Sequence, residues 1–273
     1  MHINEYGSGK KTLILVHGGP SLFGYMKSLG DQLSHKYKIV DYAQRGTFET
    51  PRTDNDQLSF DSHIEDLRQI IETYNKEQPV TLIGHSWGAD LALLTVAKHQ
   101  GLVEKVISLG TASLEEETGD IFANNIQARL SAEIKIKLED IDERYKTSKT
   151  IDEMNLIMQE RLALTGPVYH LDPLTEEMLP ESKWNFNSFS FSIDSIWELI
   201  ESGEVPTLLK EIKEPVIAIH GDYDPIPLKE TFKFLEENIP RIKTIEVPKS
   251  GHFPWLEKTS KDFFIEVLLE ELK

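Results

Sequence analysis

The sequence predicts an α/β fold, in which a mostly parallel sheet is flanked by helices and carries one inserted helical cap. Short aliphatic runs alternate with helical patterns in the first part of the chain and again near its end, as in parallel strands joined by helices. Between these parts, about a hundred residues show only helical spacing. We therefore expect a core formed by residues 1–111 and 213–273, with residues 112–212 as the cap.

The composition of the 273-residue chain argues against several classes of protein. Its 29 basic and 46 acidic residues give a net charge of −17, which disfavours nucleic-acid and anionic-membrane partners. There is no cysteine, so disulfides, thiolate-bound zinc and iron–sulfur clusters are excluded. No apolar run approaches the roughly 18 residues of a membrane helix, and the N-terminus lacks the apolar region of a signal peptide. We expect a cytoplasmic protein, and the sequence indicates no particular oligomeric state.

The helices and strands in roughly the first 75 residues are predicted from hydrophobic periodicity. The aliphatic run at residues 12–16 indicates a strand buried on both faces. A helix is expected at 22–33 and a strand at 37–42. After a polar loop at 43–57, Ser59 or Asp61 can cap a helix with apolar residues at helical spacing.

A Gly-x-Ser-x-Gly sequence lies between the predicted strand that begins at Val80 and an alanine- and leucine-rich helix. So tight a turn strains the backbone of its central residue, and side chains at Gly84 or Gly88 would collide with the strand or the helix. Ser86 is thereby pushed out beyond the end of the sheet. The same pentapeptide also occurs as an ordinary Gly-Ser turn, but the strand–helix context predicts a nucleophilic serine.

The remaining elements divide between the cap and the end of the core. The cap contains helical patterns at 126–141, 151–164 and 193–200, and it carries −12 of the net charge. Core strands are expected at 105–109, 215–220 and 243–247, with helices at 228–238 and 260–272.

His252 is the predicted catalytic base. A serine hydroxyl needs a base to take its proton, and a carboxylate must hold that base in the right tautomer. Of nine histidines, only His252 follows the last strand after a flexible Ser-Gly pair. The others are expected in structural or solvated positions: His63 on a helix surface, His170 in the cap, His17 and His220 bracing loops, and His85 pointing away from the site.

Asp224 and Asp222 compete for the role of the acid, because both follow the strand predicted at 215–220. Asp222 lies earlier in the turn, where a carboxylate can cap backbone amides. Asp224 extends further over the sheet edge toward His252, and we assign it as the acid. A metal site that uses His220 with these two aspartates is the alternative, but no second ligand cluster completes it.

Two backbone amides are predicted to bind the negatively charged oxygen of the reaction intermediate. The amide of Trp87 lies at a helix N-terminus, where negative charge is stabilised. The other is assigned to Gly19, because the Gly18-Gly19 pair lets a substrate approach the backbone closely. A structural Gly-Gly-Pro turn is the alternative.

Aromatic residues are concentrated near the end of the cap, where five lie within fourteen positions: Trp184, Phe186, Phe189, Phe191 and Trp197. We expect most of this cluster to form the underside of the cap. The candidates for lining an apolar substrate pocket above the serine are Trp184, Phe186, Phe189 and Trp197.

Together these motifs resemble the α/β-hydrolase superfamily over essentially the whole chain. The resemblance implies the α/β-hydrolase fold. Three short sequences are also similar to those of the proline iminopeptidase group, which are serine aminopeptidases with a helical cap: His17-Gly-Gly-Pro20, Gln44-Arg45-Gly46 and Ser86-Trp87-Gly88. The chain departs from that group at Ala43, where the group has aspartate, and at 47–50, where it has a glycine-rich run. At Pro225, some members have a glutamate that binds the substrate amine.

The sequence therefore predicts a serine hydrolase that cleaves an ester or amide of a small molecule through an acyl-enzyme, without a cofactor or metal. The main alternative is an iminopeptidase-like aminopeptidase acting on short peptides, with the cap residues Glu198, Glu201 and Glu204 as candidates for binding the substrate ammonium group. A cofactor-free lyase or haloperoxidase and a ligand-binding receptor also occur on this fold.

Overall fold

The computed structural model describes residues 1–51, 54–174 and 184–273. In this part of the chain the strands are β1 (Ile3–Tyr6), β2 (Thr12–Val16), β3 (Lys38–Tyr42), β4 (Val80–His85), β5 (Val103–Leu109), β6 (Val216–Gly221) and β7 (Ile242–Val247). The helices are α1 (Lys27–Leu33), α2 (Phe60–Tyr74), α3 (Trp87–Lys98), α4 (Glu116–Arg129), α5 (Ala132–Thr147), α6 (Ile151–Thr165), α7 (Phe186–Glu201), α8 (Val205–Leu209), α9 (Leu228–Asn238) and α10 (Lys261–Glu271).

The described strands form one sheet in the order β1–β3–β2–β4–β5–β6–β7. β1 pairs antiparallel with β3, and every other neighbouring pair is parallel. The predicted class, a mostly parallel sheet flanked by helices, is confirmed. Because the parallel strands run in one direction, the loops after β2, β4, β5, β6 and β7 all leave from the same edge of the sheet.

Hydrophobic residues pack on both faces of the sheet. Ile14 of β2 lies in one cluster with Leu91 of α3. Its neighbour Leu15 points to the opposite face, in a second cluster with Leu29 of α1 and Phe264 of α10. Burial of such a side chain stabilises the fold by about 1.5–3 kcal/mol, which explains why the central strands are continuously aliphatic.

In two places the bounds of the observed helices differ from those of the helical pattern in the sequence. The helix expected at 22–33 begins only at Lys27, because the chain before it turns twice, at Gly19 and at Gly24. The helical pattern at 126–141 is divided between the end of α4 and the first part of α5. Ser131 separates the two helices because its Oγ accepts a hydrogen bond from Ile134 N at 3.2 Å and thereby begins α5.

The helices α4 to α8 all follow β5 and precede β6 in the chain. The segment between β5 and β6 contains a small hydrophobic cluster of its own, formed by Leu130, Leu138, Ile141, Ile157 and Val168. The division into a core and a cap stays a prediction. None of the helices described is both long enough and apolar enough to cross a lipid bilayer.

Candidate active site

Ser86 lies at a sharp turn between β4 and α3, with φ of 56° and ψ of −130°. A positive φ is strained for any residue with a Cβ. The glycines on either side make the turn possible. A Cβ on Gly84 would lie 2.4 Å from Gly88 O, and a Cβ on Gly88 would lie 2.1 Å from Val16 O. The turn therefore accepts no side chain at either glycine position.

The ends of β4 and β5 bring Ser86 close to the predicted acid and base. Ser86 N donates a hydrogen bond to Leu109 O at 2.9 Å. Gly110, the residue after Leu109, lies against the side chains of His252 and Asp224. A Cβ on Gly110 would be 3.0 Å from His252 Nδ1 and 3.2 Å from Asp224 Oδ2. The three residues selected from the sequence thus surround one short stretch of backbone.

The His252 and Asp224 side chains form a buried pair, with 2.6 Å between His252 Nδ1 and Asp224 Oδ2. Burial by itself raises the pKa of the Asp224 carboxyl. Electrostatic interaction with the His252 and His220 imidazoles and the hydrogen bonds from His252 and from Ile226 N outweigh that effect and hold the pKa of Asp224 below its usual value. An ionised Asp224 only accepts hydrogen bonds, so His252 Nδ1–H donates and Nε2 is left free to accept a proton.

The hydroxyl of Ser86 makes no hydrogen bond to any residue that the structure describes, His252 included. Hydrogen bonds of this kind shorten as substrate binds.

Asp222, the competing acid, lies at an exposed position and does not contact His252. Its Oδ1 accepts a hydrogen bond from Ser250 N at 3.1 Å, which is the capping role expected from its place in the turn. His220 Nε2 contacts Ile226 O at 3.1 Å and Asp224 Oδ2 at 3.3 Å, so it braces the loop that carries Asp224.

The two amides assigned to the oxyanion site are available as donors. Trp87 is the first residue of α3, and neither its N–H nor that of Gly19 has an acceptor within the described part of the chain. Gly18 N–H, in contrast, is already bonded to Tyr25 Oη at 2.5 Å. The Gly18–Gly19 loop also lies directly against Ser86, because a Cβ on Gly18 would be 2.7 Å from Ser86 Cβ.

Two histidines expected at solvated positions are buried. His63 contacts Ser192 Oγ at 3.0 Å, and its ring centroid is 4.9 Å from that of Trp87. His170 stacks on Phe253 at 4.9 Å. The expectation of a surface position for His63 is wrong, and the signal was present in the sequence, because His63 is spaced like the apolar face of α2. Burial holds the pKa of His63 well below its usual value, so its ring is neutral.

The chain that follows α6 is attached to the loop that carries His252. His252 N donates to Tyr169 O at 2.7 Å. The buried carboxylate of Glu257 accepts from Asp172 N at 2.7 Å and from Gly251 N at 3.3 Å. The backbone on either side of His252 is therefore held by bonds to a segment that lies between β5 and β6 in the chain.

The aromatic candidates divide into two groups. Trp184 contacts Phe189 at 4.7 Å and Phe186 at 5.7 Å between ring centroids. These three rings belong to the same hydrophobic cluster as Leu22, near Gly19, and Phe253, next to His252. Trp197 packs in the cluster on the other face of the sheet and lies against Gly119.

Phe191 and the three carboxylates proposed to bind an ammonium group are exposed: Glu198, Glu201 and Glu204. They therefore lie on the surface, in contact with solvent.

Comparison with known proteins identifies the family of the chain. The family model of the alpha/beta hydrolase fold matches residues 11–259. The chain is 22% identical over 270 residues to a proline iminopeptidase of Saccharolobus solfataricus, covering 95% of this chain and 84% of the relative. It is 21% identical over 279 residues to a pimeloyl-[acyl-carrier protein] methyl ester esterase of Nitrosospira multiformis, covering 96% and 94%.

A solved structure shares the fold. The thermophilic esterase from Thermogutta terrifontis aligns with a TM-score of 0.69 at 18% identity, covering 99% of this chain and 92% of that one. With the family model matching most of its length, the chain belongs to the α/β-hydrolase fold family.

Proposed function

We propose that the protein is a serine hydrolase that cleaves a carboxylic ester or amide of a small molecule through a covalent acyl-enzyme. The observation that carries the proposal is the buried His252–Asp224 pair beside a serine in strained backbone geometry. Strain of this kind is costly, and it is characteristic of positions where the side chain reacts.

In the first half of the reaction, Ser86 Oγ attacks the substrate carbonyl carbon while His252 Nε2 takes the hydroxyl proton. The carbonyl oxygen becomes negatively charged, and the amides of Gly19 and Trp87 stabilise it. His252 then returns the proton to the leaving alcohol or amine as the bond to the acyl carbon breaks. Asp224 stays ionised and stabilises the protonated imidazole throughout.

In the second half, a water molecule attacks the acyl-serine and His252 takes its proton. Collapse of the intermediate breaks the bond to Ser86 Oγ, which receives the proton back from His252. The products are the carboxylic acid and the regenerated enzyme. Every step uses groups of this chain and water, so no cofactor is required.

The apolar surroundings favour a neutral substrate. Phe186 and Phe189 are partly buried in the cluster that reaches Leu22 and Phe253, so they are suited to bind an apolar acyl group. Pro225 takes the place of the amine-binding glutamate of the iminopeptidase group. Exposed carboxylates such as Glu198 attract a cation only weakly in salt.

Aminopeptidase activity is the second candidate, because a proline iminopeptidase is among the relatives that match nearly the whole chain. The two candidates differ in the substrate group next to the scissile bond. We expect p-nitrophenyl esters of apolar acids to be cleaved faster than aminoacyl-anilides. N-acetylation of an aminoacyl-anilide should leave kcat/KM unchanged or raise it, whereas a large decrease would favour the aminopeptidase.

The test of the nucleophile uses a fluorophosphonate, which reacts covalently with an activated serine. Wild-type protein should be labelled at Ser86, and Ser86→Ala should remain unlabelled and folded. Ser86→Ala and His252→Ala should each lower kcat by roughly 10⁴-fold or more. Turnover without an acyl-serine would favour a lyase or haloperoxidase, and ligand binding without turnover would favour a receptor.

A further inference from the structure

A buried chain of three hydrogen bonds connects the Gly18–Gly19 loop to the loop of the catalytic base. Gly18 N donates to Tyr25 Oη at 2.5 Å, Tyr25 Oη is bonded to His85 Nδ1 at 2.8 Å, and His85 Nε2 is bonded to His252 O at 2.8 Å. Tyr25, His85 and His252 are each less than 5% exposed. The proposed reaction steps use neither Tyr25 nor the His85 side chain.

The groups at each end determine which atom donates and which accepts in all three hydrogen bonds. The His252 carbonyl can only accept, so His85 must be protonated at Nε2. Burial, followed by electrostatic interaction with the neighbouring His252 imidazole, holds the pKa of His85 well below its usual value, so His85 Nδ1 carries no proton and accepts. Tyr25 Oη then donates to His85 Nδ1 and accepts from Gly18 N, and burial raises the pKa of Tyr25 so that its hydroxyl keeps its proton.

Each end of the chain lies beside a group that takes part in the proposed reaction. Gly18 precedes the amide of Gly19 and contacts Ser86. His252 carries the imidazole, and its ring centroid is 4.4 Å from that of His85. A buried network in which every donor and acceptor is satisfied is rigid, because each alternative arrangement leaves a polar group unpaired in a medium of low dielectric constant.

We propose that Tyr25 and His85 are positioning residues that hold the oxyanion amide of Gly19 and the imidazole of His252 at a fixed separation across Ser86. The inference rests on the proposed serine-hydrolase function. The sequence places His85 next to the nucleophile, but only the fold shows that its ring bonds to both loops. Loss of the chain lets the two loops move independently, and a displacement of about 1 Å in such a site can lower the rate by about 100-fold.

The first experiment measures the second-order rate of inactivation by a fluorophosphonate, which depends on Ser86, His252 and the oxyanion amides but needs no knowledge of the substrate. Tyr25→Phe keeps the ring and removes the central hydroxyl, so we expect a rate about 10- to 100-fold lower than wild type. Tyr6→Phe is the matched control. It removes a buried hydroxyl in β1 that has no partner among the described residues, and it should react at the wild-type rate.

A second pair of variants tests the direction of the bonds. His85→Gln retains an N–H donor for His252 O, whereas His85→Ala retains none, so we expect His85→Gln to react faster than His85→Ala. The double variant of Tyr25→Phe and His85→Ala should lose little more than His85→Ala alone, because both changes interrupt one chain. For p-nitrophenyl butyrate, the variants should lose kcat with little change in KM.

The protonation of His85 provides a readout independent of activity. In wild-type protein labelled with ¹⁵N-histidine, the side-chain nitrogen shifts should show the neutral form with its proton on Nε2. Thermal unfolding identifies any variant that fails to fold. If the His85 variants do not fold, the inactivation rate of Tyr25→Phe and the nitrogen shifts of the wild type test the positioning role. If Tyr25→Phe does not fold, the comparison of His85→Gln with His85→Ala and the same shifts test it.

The possible failures are distinguishable. If wild-type protein does not react at Ser86, the proposed function is overturned, and this inference with it. If wild-type protein reacts but Tyr25→Phe reacts equally fast, only the positioning role is overturned. A proton on Nδ1 of His85 would also overturn it, because Tyr25 could then not donate to that ring.

Discussion

His252 Nδ1 lies 2.6 Å from Asp224 Oδ2, whereas Asp222, two positions earlier, is exposed and bonded to Ser250 N. The two aspartates occupy one short turn and differ in reach rather than in chemistry. Only the one that extends beyond the turn meets the imidazole, and only its carboxylate is buried.

We therefore predict unequal effects of the same substitution at these two positions. Asp224→Asn should lower kcat by roughly 10⁴-fold, because an amide no longer stabilises the protonated imidazole and favours the wrong tautomer. Asp222→Asn should change kcat less than tenfold, since it alters only a backbone contact. Steady-state kinetics on one p-nitrophenyl ester measures both. Equal losses, or a larger loss at position 222, would reverse the assignment of the acid.

A methyl group at Gly110 should lower activity by crowding the acid and base. In Gly110→Ala the new Cβ would lie 3.0 Å from His252 Nδ1, so we expect kcat to fall by about tenfold or more. Gly101→Ala is the control, because Gly101 also has a positive φ but has open space where the Cβ would lie. Each variant should lose about 1–2 kcal/mol of stability from the left-handed backbone. Similar kcat losses in both variants would contradict the prediction.

The aromatic groups on the two faces of the sheet should affect substrate choice differently. We expect Phe189→Ala to raise KM for esters with longer acyl chains more than for acetate, because Phe189 belongs to the cluster next to Gly19 and His252. Trp197→Ala should change stability without changing chain-length preference, since Trp197 packs against Gly119 in the other cluster. The ratio of kcat/KM between p-nitrophenyl octanoate and acetate measures the effect. An altered ratio in Trp197→Ala alone would place the acyl pocket on the other side.

Asp41 in β3 should make stability depend on pH. Burial, only partly opposed by the charge of Lys27, raises its pKa from 3.8 to about 7, and its Oδ1 has no partner among the described residues. Because the folded state binds the Asp41 proton more tightly than the unfolded state does, this group contributes stability that is fully present below pH 3.8. That contribution is lost as the pH rises from 3.8 to about 7.

We therefore expect Asp41→Asn to become more stable relative to wild type by up to about 4 kcal/mol between pH 4 and pH 8. Urea unfolding of the two proteins across this range measures the difference. A difference that does not change with pH would mean that Asp41 is ionised throughout the range.

The sequence was most informative where one residue type is required by local geometry. Gly84 and Gly88 contact neighbouring backbone so closely that no side chain fits, and this requirement is legible in the pentapeptide itself. The buried strands were likewise predictable, because Leu13, Ile14 and Leu15 are enclosed on both faces and only a continuous aliphatic run meets that condition.

Features that depend on pairing between distant segments could not be predicted. Tyr25 was assigned to a helix by its apolar spacing, but two turns place its hydroxyl between Gly18 and His85, which lies 60 positions away in the sequence. The burial of His170 depends on Phe253, which follows the last strand. Periodicity indicates which side of a segment is buried. It carries no information about which distant residue will form a hydrogen bond with a hydroxyl or stack on a ring.

The attachment of the segment after α6 to the loop of His252 limits how this enzyme can be redesigned. The bonds from His252 N to Tyr169 O and from Asp172 N to Glu257 use backbone groups of the segment between β5 and β6. A replacement for this segment from another member of the family must therefore follow the same backbone path, and it must also keep the side chain of His170 that stacks on Phe253. An insertion that takes another path would leave Glu257 with fewer donors and His252 N without an acceptor, so chimeras should be joined upstream of Tyr169.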